Sequence, residues 1–214
     1  SRSYYPLFCS VAQTGQILDH RHRPGNVHDS RLSLPFMKYC IRTIRNRMKG
    51  VILEARMDSA FFSEKTVHLL NQERVLFTVS VPFHRFAPLK EIISRRRKWT
   101  RINSELSYFV VDWKPKSWEQ EKNFRFIAIR SKAHRIRREP LQLDLFEPMD
   151  AYYEYKVILT NMTGDAGRIL RFHNGRGSQE GVFAELKSNA FMNYIPTRRL
   201  IANQIFMTAA VLVH

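Results

Sequence analysis

The chain has 214 residues, 44% of them hydrophobic, enough for one good-sized core or two small ones. Lys and Arg number 35 against 19 Asp and Glu, a formal charge of +16, which makes a polyanion, nucleic acid first, the partner to consider. No apolar run approaches the ~20 residues that span a bilayer and no amino-terminal signal peptide is visible, so a soluble, cytoplasmic protein with no membrane partner is expected.

In chain order, the first segment, SYYPLFCSVAQTGQILDHRHRPGN, is split by Thr14-Gly15-Gln16 into two strand-like pieces, which predicts a hairpin. Between Ser30 and Lys49, Leu32, Phe36, Tyr39, Cys40, Thr43 and Ile44 fall near helical spacing, an amphipathic helix with Asp29 as its expected cap. VILEARMDS then reads as a strand ending at Asp58, SEKTVHLLNQE as a helix capped by Ser63, and VLFTVSVPF as a further strand. The order so far is β-β-α-β-α-β. From His84 to about Asn161 the texture becomes β-rich: SRRRKWTRI is followed by SYFVVDW, NFRFIAIRS and YYEYKVILT, with basic residues interleaved and no dominant helical pattern. TGDAG punctuates its end, helical pattern resumes around Gly177, and the apolar residues of TRRLIANQIFMTAAVLVH suit a buried carboxy-terminal helix.

The chemistry concentrates in HNGRGSQEGVFAELK, residues 173–187. At about 100° per residue, a helix running through this stretch sets His173, Arg176, Glu180 and Lys187 within about 60° of one another. Val182, Phe183, Leu186 and Ala190 form a core sector beside them, and Glu185 points away. A carboxylate flanked by two cations suits a site that holds a divalent metal and a phosphate. The same residues also fit a solvated face carrying an i,i+4 Arg-Glu pair. Elsewhere, Arg95, Arg96, Arg97 and Lys98 could track a DNA backbone or form a solvated loop. Trp99, Trp113 and Trp118 could stack on unpaired bases or fill the sheet's core. His20, His22 and His28 lack a Cys or Glu at ligand spacing and are read as phosphate contacts or plain surface rather than a zinc site. Cys9 and Cys40 are too few and too far apart in sequence for a disulfide framework, and are expected as small buried apolar residues without redox chemistry.

The spacing His173-x2-Arg176-x3-Glu180-x6-Lys187 resembles the Y-x2-R-x3-E-x6-K signature of bacterial insertion-sequence transposases of the DDE type, with His in place of Tyr. YYPLFCSVAQTGQILDHRHRPGNVHDS at 4–30 and RMDSAFFS at 56–63 are similar to segments around that family's second acidic motif. The resemblance implies an α/β, RNase H-like fold: a mixed sheet flanked by helices, with a β-rich insertion before the catalytic helix. The implied division is a first core part over 1–83, the insertion over 84–161, and a last core part over 162–214 with the catalytic and carboxy-terminal helices. It further implies Asp58 and Glu180 as catalytic metal ligands for two Mg2+ or Mn2+ ions. Arg176 and Lys187 would contact transposon-end phosphates, and His173 would do so as the usual Tyr does. The implied partner is double-stranded DNA, at transposon ends and target, with room for a homodimer on it and a cytoplasmic, nucleoid-associated location. The family's first Asp lies on a strand ahead of the YYPL-like segment, and no residue here matches it; Asp19 stands on the wrong strand. An amino-terminally truncated transposase, weakly active or inactive alone, is therefore expected, with a non-catalytic DNA-binding remnant as the alternative.

Overall fold

The computed structural model describes residues 5–25, 32–118, 124–133, 147–148, 152–175, 177–189 and 194–213, with backbone alone at 147–148, 177–180 and 182–183. In chain order the elements are β1 Leu7–Ser10, β2 Ile17–Arg21, α1 Ser33–Arg47, β3 Glu54–Met57, α2 Glu64–Gln72, β4 Leu76–Val81 and α3 Ala87–Arg95. They continue with β5 Thr100–Arg101, β6 Leu106–Val111, β7 Arg125–Lys132, β8 Glu147–Pro148, β9 Tyr153–Thr160, α4 Ala166–Asn174, α5 Gly177–Asn189 and α6 Leu200–Val213. The chain divides into two compact units, Ser1–Val51 with Gly175–His214, and Ile52–Asn174. Among the described residues no helix is long and apolar enough to cross a membrane.

In the first unit β1 and β2 pair antiparallel, with Phe8 opposite His20 and Cys9 opposite Asp19. Gly15 makes the turn at φ 74°, a left-handed conformation that glycine adopts without a Cβ clash, and the Thr14 and Gly15 N–H groups both donate to the Val11 carbonyl. α1 buries Phe36, Cys40 and Ile41. Leu32 stands at its start at φ 64° with no side-chain cap bond, while the expected cap, Asp29, lies outside the described residues. α6 rests on the end of the hairpin, with His22 Nδ1 3.4 Å from Met207 Sδ and Thr208 Oγ1 3.3 Å from His20 Nε2. Contrary to the sequence expectation it is not a buried helix. Asn203, Met207 and Ala210 are covered, whereas Ile201 is 73% and Leu212 81% exposed, because the hairpin contacts only one flank of an almost wholly apolar helix.

The second unit is built on one mixed sheet with strand order β3-β4-β9-β7-β6-β5, β8 pairing on β9. β3 and β4 are parallel, with Met57 opposite Val79, and the other described pairings are antiparallel. A parallel pair needs a crossover, which α2 provides, and Ser63 caps that helix as predicted by accepting the Thr66 N–H at 3.2 Å. The strands expected as an insertion hydrogen-bond directly into the sheet that carries β3 and β4. On one sheet face Ile127, Ile129 and Ile158 pack against Ala166, Ile169 and Leu170 of α4. On the other, Phe126 meets Trp113 at 5.2 Å and Trp118 at 6.4 Å, and these reach Phe86 and Phe62. Two helices were not anticipated: α3, with Pro in its first turn and Leu89 and Ile93 buried, and α4, which starts where Asp165 accepts the Arg168 N–H at 3.0 Å, as an N-cap does.

Burial holds both His20 and His22 below the ordinary imidazole value; His20 adds to the effect on His22, while Asp19 opposes it at His20. Unfolded histidines titrate near pH ~6.5, so below that pH the unfolded chain takes up protons that the folded one refuses. This contribution to stability is complete above pH ~6.5 and is lost as pH falls through the lower folded value. The thermal midpoint, followed by circular dichroism, should fall between about pH 7.5 and about pH 5.5, and His22→Phe should make that fall shallower.

Candidate functional site

Asp58 follows β3 directly and is half-buried. It is held in extended backbone as the cap of a 3-10 turn over Ser59–Phe61, its Oδ1 accepting the Ala60 N–H at 3.0 Å. The carboxylate therefore stands at the carboxyl end of a parallel strand pair, the side of an open α/β sheet where ligands bind. A carboxylate oxygen is the hard donor that Mg2+ or Mn2+ takes. Among the described residues no group of three His, Cys, Asp or Glu gathers to hold an ion.

Continuing the β3–β4 register brings Asp58 level with Ser80, on the sheet face that α4 covers. That face is polar here. His173 is 1% exposed, with Nε2 2.9 Å from Ser80 Oγ and Nδ1 2.9 Å from Thr78 Oγ1. Arg56 donates to the Phe172 carbonyl at 3.0 Å and lies over the Phe172 ring; burial lowers its guanidinium from the ordinary value, with Glu54 opposing. Lys156, buried in the middle of β9, donates to Asn174 Oδ1 at 3.2 Å. Two cations thus sit at the carboxyl end of α4, where the helix dipole favours them. Arg56 and Lys156 were missed from sequence, although a lysine inside the otherwise strand-like YYEYKVILT was a usable signal.

His173 consequently does not present its ring to an external phosphate. The sequence expectation assumed one helix through residues 173–187, but α4 ends at Asn174 and α5 starts at Gly177, with two glycines at the junction that disfavour helix continuation. The ring is turned into the sheet to satisfy two strand hydroxyls. Arg176 lies outside the described residues. Glu180 falls within α5, with its side chain outside the described atoms, and Lys187 is exposed on the same helix near buried Leu186.

The basic run follows α3 on the surface. Arg95 pairs with Glu91 at 2.6 Å, and Arg96 lies 4.7 Å over the Phe109 ring while donating to the Lys98 carbonyl. Arg97 and Lys98 are exposed. Trp99 donates to the Arg96 carbonyl, meets Phe109 edge-on at 4.7 Å, and carries Arg130 over its ring at 4.6 Å. All three tryptophans are thus packed into aromatic clusters on the sheet. In the first unit Cys9 is half-buried and Cys40 buried.

A family model described as transposase DDE domain group 1 matches residues 1–213. No curated protein matches the chain.

If His173 is a tie between α4 and the sheet, His173→Ala leaves a cavity and two buried hydroxyls, costing about 2–4 kcal/mol in urea unfolding. It should leave the salt dependence of DNA binding unchanged, whereas a lost phosphate contact would lower the log–log slope by about 0.9.

Proposed function

Because this chain belongs to the transposase DDE domain group 1 family, we propose that it acts on insertion-sequence ends, through metal-dependent cleavage and strand transfer of DNA phosphodiesters. The observation that carries this reading is Asp58, a half-buried carboxylate fixed by the Ala60 N–H at the carboxyl end of β3. Asp58 and Glu180 are the proposed ligands. The bound Mg2+ or Mn2+ pair supplies Lewis-acid activation of the attacking and leaving oxygens. The strand-end cap holds the Asp58 carboxylate in place before any ion arrives, so little reorganisation is needed on binding. Arg176 and Lys187 contact phosphates near the scissile bond, and Arg97 and Lys98, with Arg95 and Arg96 behind them, grip the flanking duplex. Two copies on paired ends would be the working assembly, located on the nucleoid.

A third carboxylate would complete the ligand set. The purified chain is expected to bind duplex DNA but cut it poorly, which is also the behaviour of a non-catalytic remnant. Robust Mg2+-dependent nicking of transposon ends by the purified chain would refute this part of the reading.

Two measurements test the reading. Calorimetric titration with Mn2+ should show binding weakened at least about tenfold by Asp58→Ala and by Glu180→Ala, in line with the loss of a carboxylate ligand; equal affinity in all three proteins removes both residues from the site. The double substitution Arg97→Ala with Lys98→Ala should lower the slope of log affinity against log salt by up to about 1.8, two phosphate contacts' worth, read by fluorescence anisotropy on duplex DNA.

A further inference from the structure

Arg130 belongs neither to the basic run nor to the proposed metal site, and it is held differently from its neighbouring surface cations. It stands on β7 opposite Tyr155. Ile127 and Ile129 of the same strand face α4, so by alternation Arg130 faces the other side of the sheet. Its guanidinium is seated against two rings, 4.6 Å from the centre of Trp99 and 4.6 Å from that of Tyr153. Trp99 in turn meets Phe109 edge-on at 4.7 Å, and Arg96 lies 4.7 Å over Phe109. Tyr153, Arg130, Trp99, Phe109 and Arg96 thus form one continuous stack of rings and cations.

Ring contacts cover the faces of a guanidinium and leave its N–H donors, which lie in the plane, unused. Nearby, Arg95 is answered by Glu91 and Lys132 by Glu105. Arg130 pairs with no carboxylate among the described residues, and its Nε has no hydrogen-bond partner there. The side chain is only half-buried. A full charge, a fixed plane and unused in-plane donors are what a phosphate oxygen pair takes up in bidentate fashion. The position on the sheet selects among anions. β4 and β7 both pair antiparallel with β9, so they run the same way. Arg130, near the carboxyl end of β7, therefore stands at the end of the sheet where Asp58 follows β3. A polymer with regularly spaced phosphates can occupy both positions, and a lone anion cannot. Resting on the transposase reading, we propose that Arg130 binds a backbone phosphodiester of the duplex DNA substrate away from the scissile bond. Trp99 and Tyr153 are the positioning residues that hold its guanidinium plane.

The test uses the full chain and a fluorescein-labelled duplex, with anisotropy followed across a salt series and the thermal midpoint of each variant taken by circular dichroism. Arg130→Gln should lower the slope of log affinity against log salt by about 0.9, one phosphate contact, and the loss should add to that of Arg97→Ala with Lys98→Ala. Arg130→Lys keeps the charge and hence the slope, yet should bind at least about threefold more weakly, because an ammonium lacks the planar fork. Trp99→Leu retains every cation and should likewise weaken binding at unchanged slope. Where Gln lowers the thermal midpoint enough to unfold the chain, Arg130→Lys decides alone. An unchanged slope in folded Arg130→Gln, or equal affinity of Arg130→Lys and wild type, assigns the stack to the sheet's stability only and overturns the proposal, while the Arg97 and Lys98 double variant still reports whether the basic run holds DNA. A wild-type chain with no salt-dependent affinity for the duplex would sink the transposase reading itself, and this inference with it.

Discussion

Thr78 and Ser80 put two hydroxyls on a strand flanked by pairing on both sides, with relative exposures of 0% and 7%. A buried hydroxyl left without a partner costs ~1–3 kcal/mol, so the helix that covers this face must bring a polar group. His173 brings both ring nitrogens, each 2.9 Å from one hydroxyl, and a neutral imidazole offers one donor and one acceptor. The contact fixes the last turn of α4 over β4. Arg56, bonded to the Phe172 carbonyl, fixes the same turn to β3. The strand that ends in Asp58 is thus braced from its covered face as well as through its pairing with β4.

Two arginines of this unit are seated on aromatic rings. Arg96 lies over Phe109, and Arg130 lies 4.6 Å from the ring centres of both Trp99 and Tyr153. Such stacking stabilises a guanidinium by about 0.5–2 kcal/mol while leaving its charge uncompensated. Trp99 seats one of these arginines, and Trp113 and Trp118 pack against Phe126.

Much of this was legible in sequence where local chemistry decides the outcome. Thr14-Gly15 set the hairpin, Ser63 set the start of α2, and the alternating runs at Leu106–Val111, Arg125–Lys132 and Tyr153–Thr160 set three strands. The misreadings arise where tertiary contacts decide. α3 was hidden because only Leu89 and Ile93 mark its buried side and the arginines that follow drew attention to charge. α6 looked like a core helix because composition counts apolar residues without knowing how many of its flanks find a partner. The place of Asp58 at a strand end was legible because a strand followed by a capping acid is itself a local pattern; the buried lysine and arginine near it depend on where α4 lands.

The break between α4 and α5 has a consequence for the proposed chemistry. Two helices have independent phases, so an angle computed from His173 carries no information about Glu180 once the helix ends at Asn174. Glu180 and Lys187 remain on one helix, seven residues apart. Seven residues at 3.6 per turn return to within about 20° of the starting direction, ~10.5 Å further along the axis. The candidate metal ligand and the candidate phosphate-binding cation therefore share a side of α5 by helical phase alone, whatever α4 does. The pairing that the proposed reaction needs rests on α5, and the histidine that completed the sequence signature belongs to the architecture of the sheet.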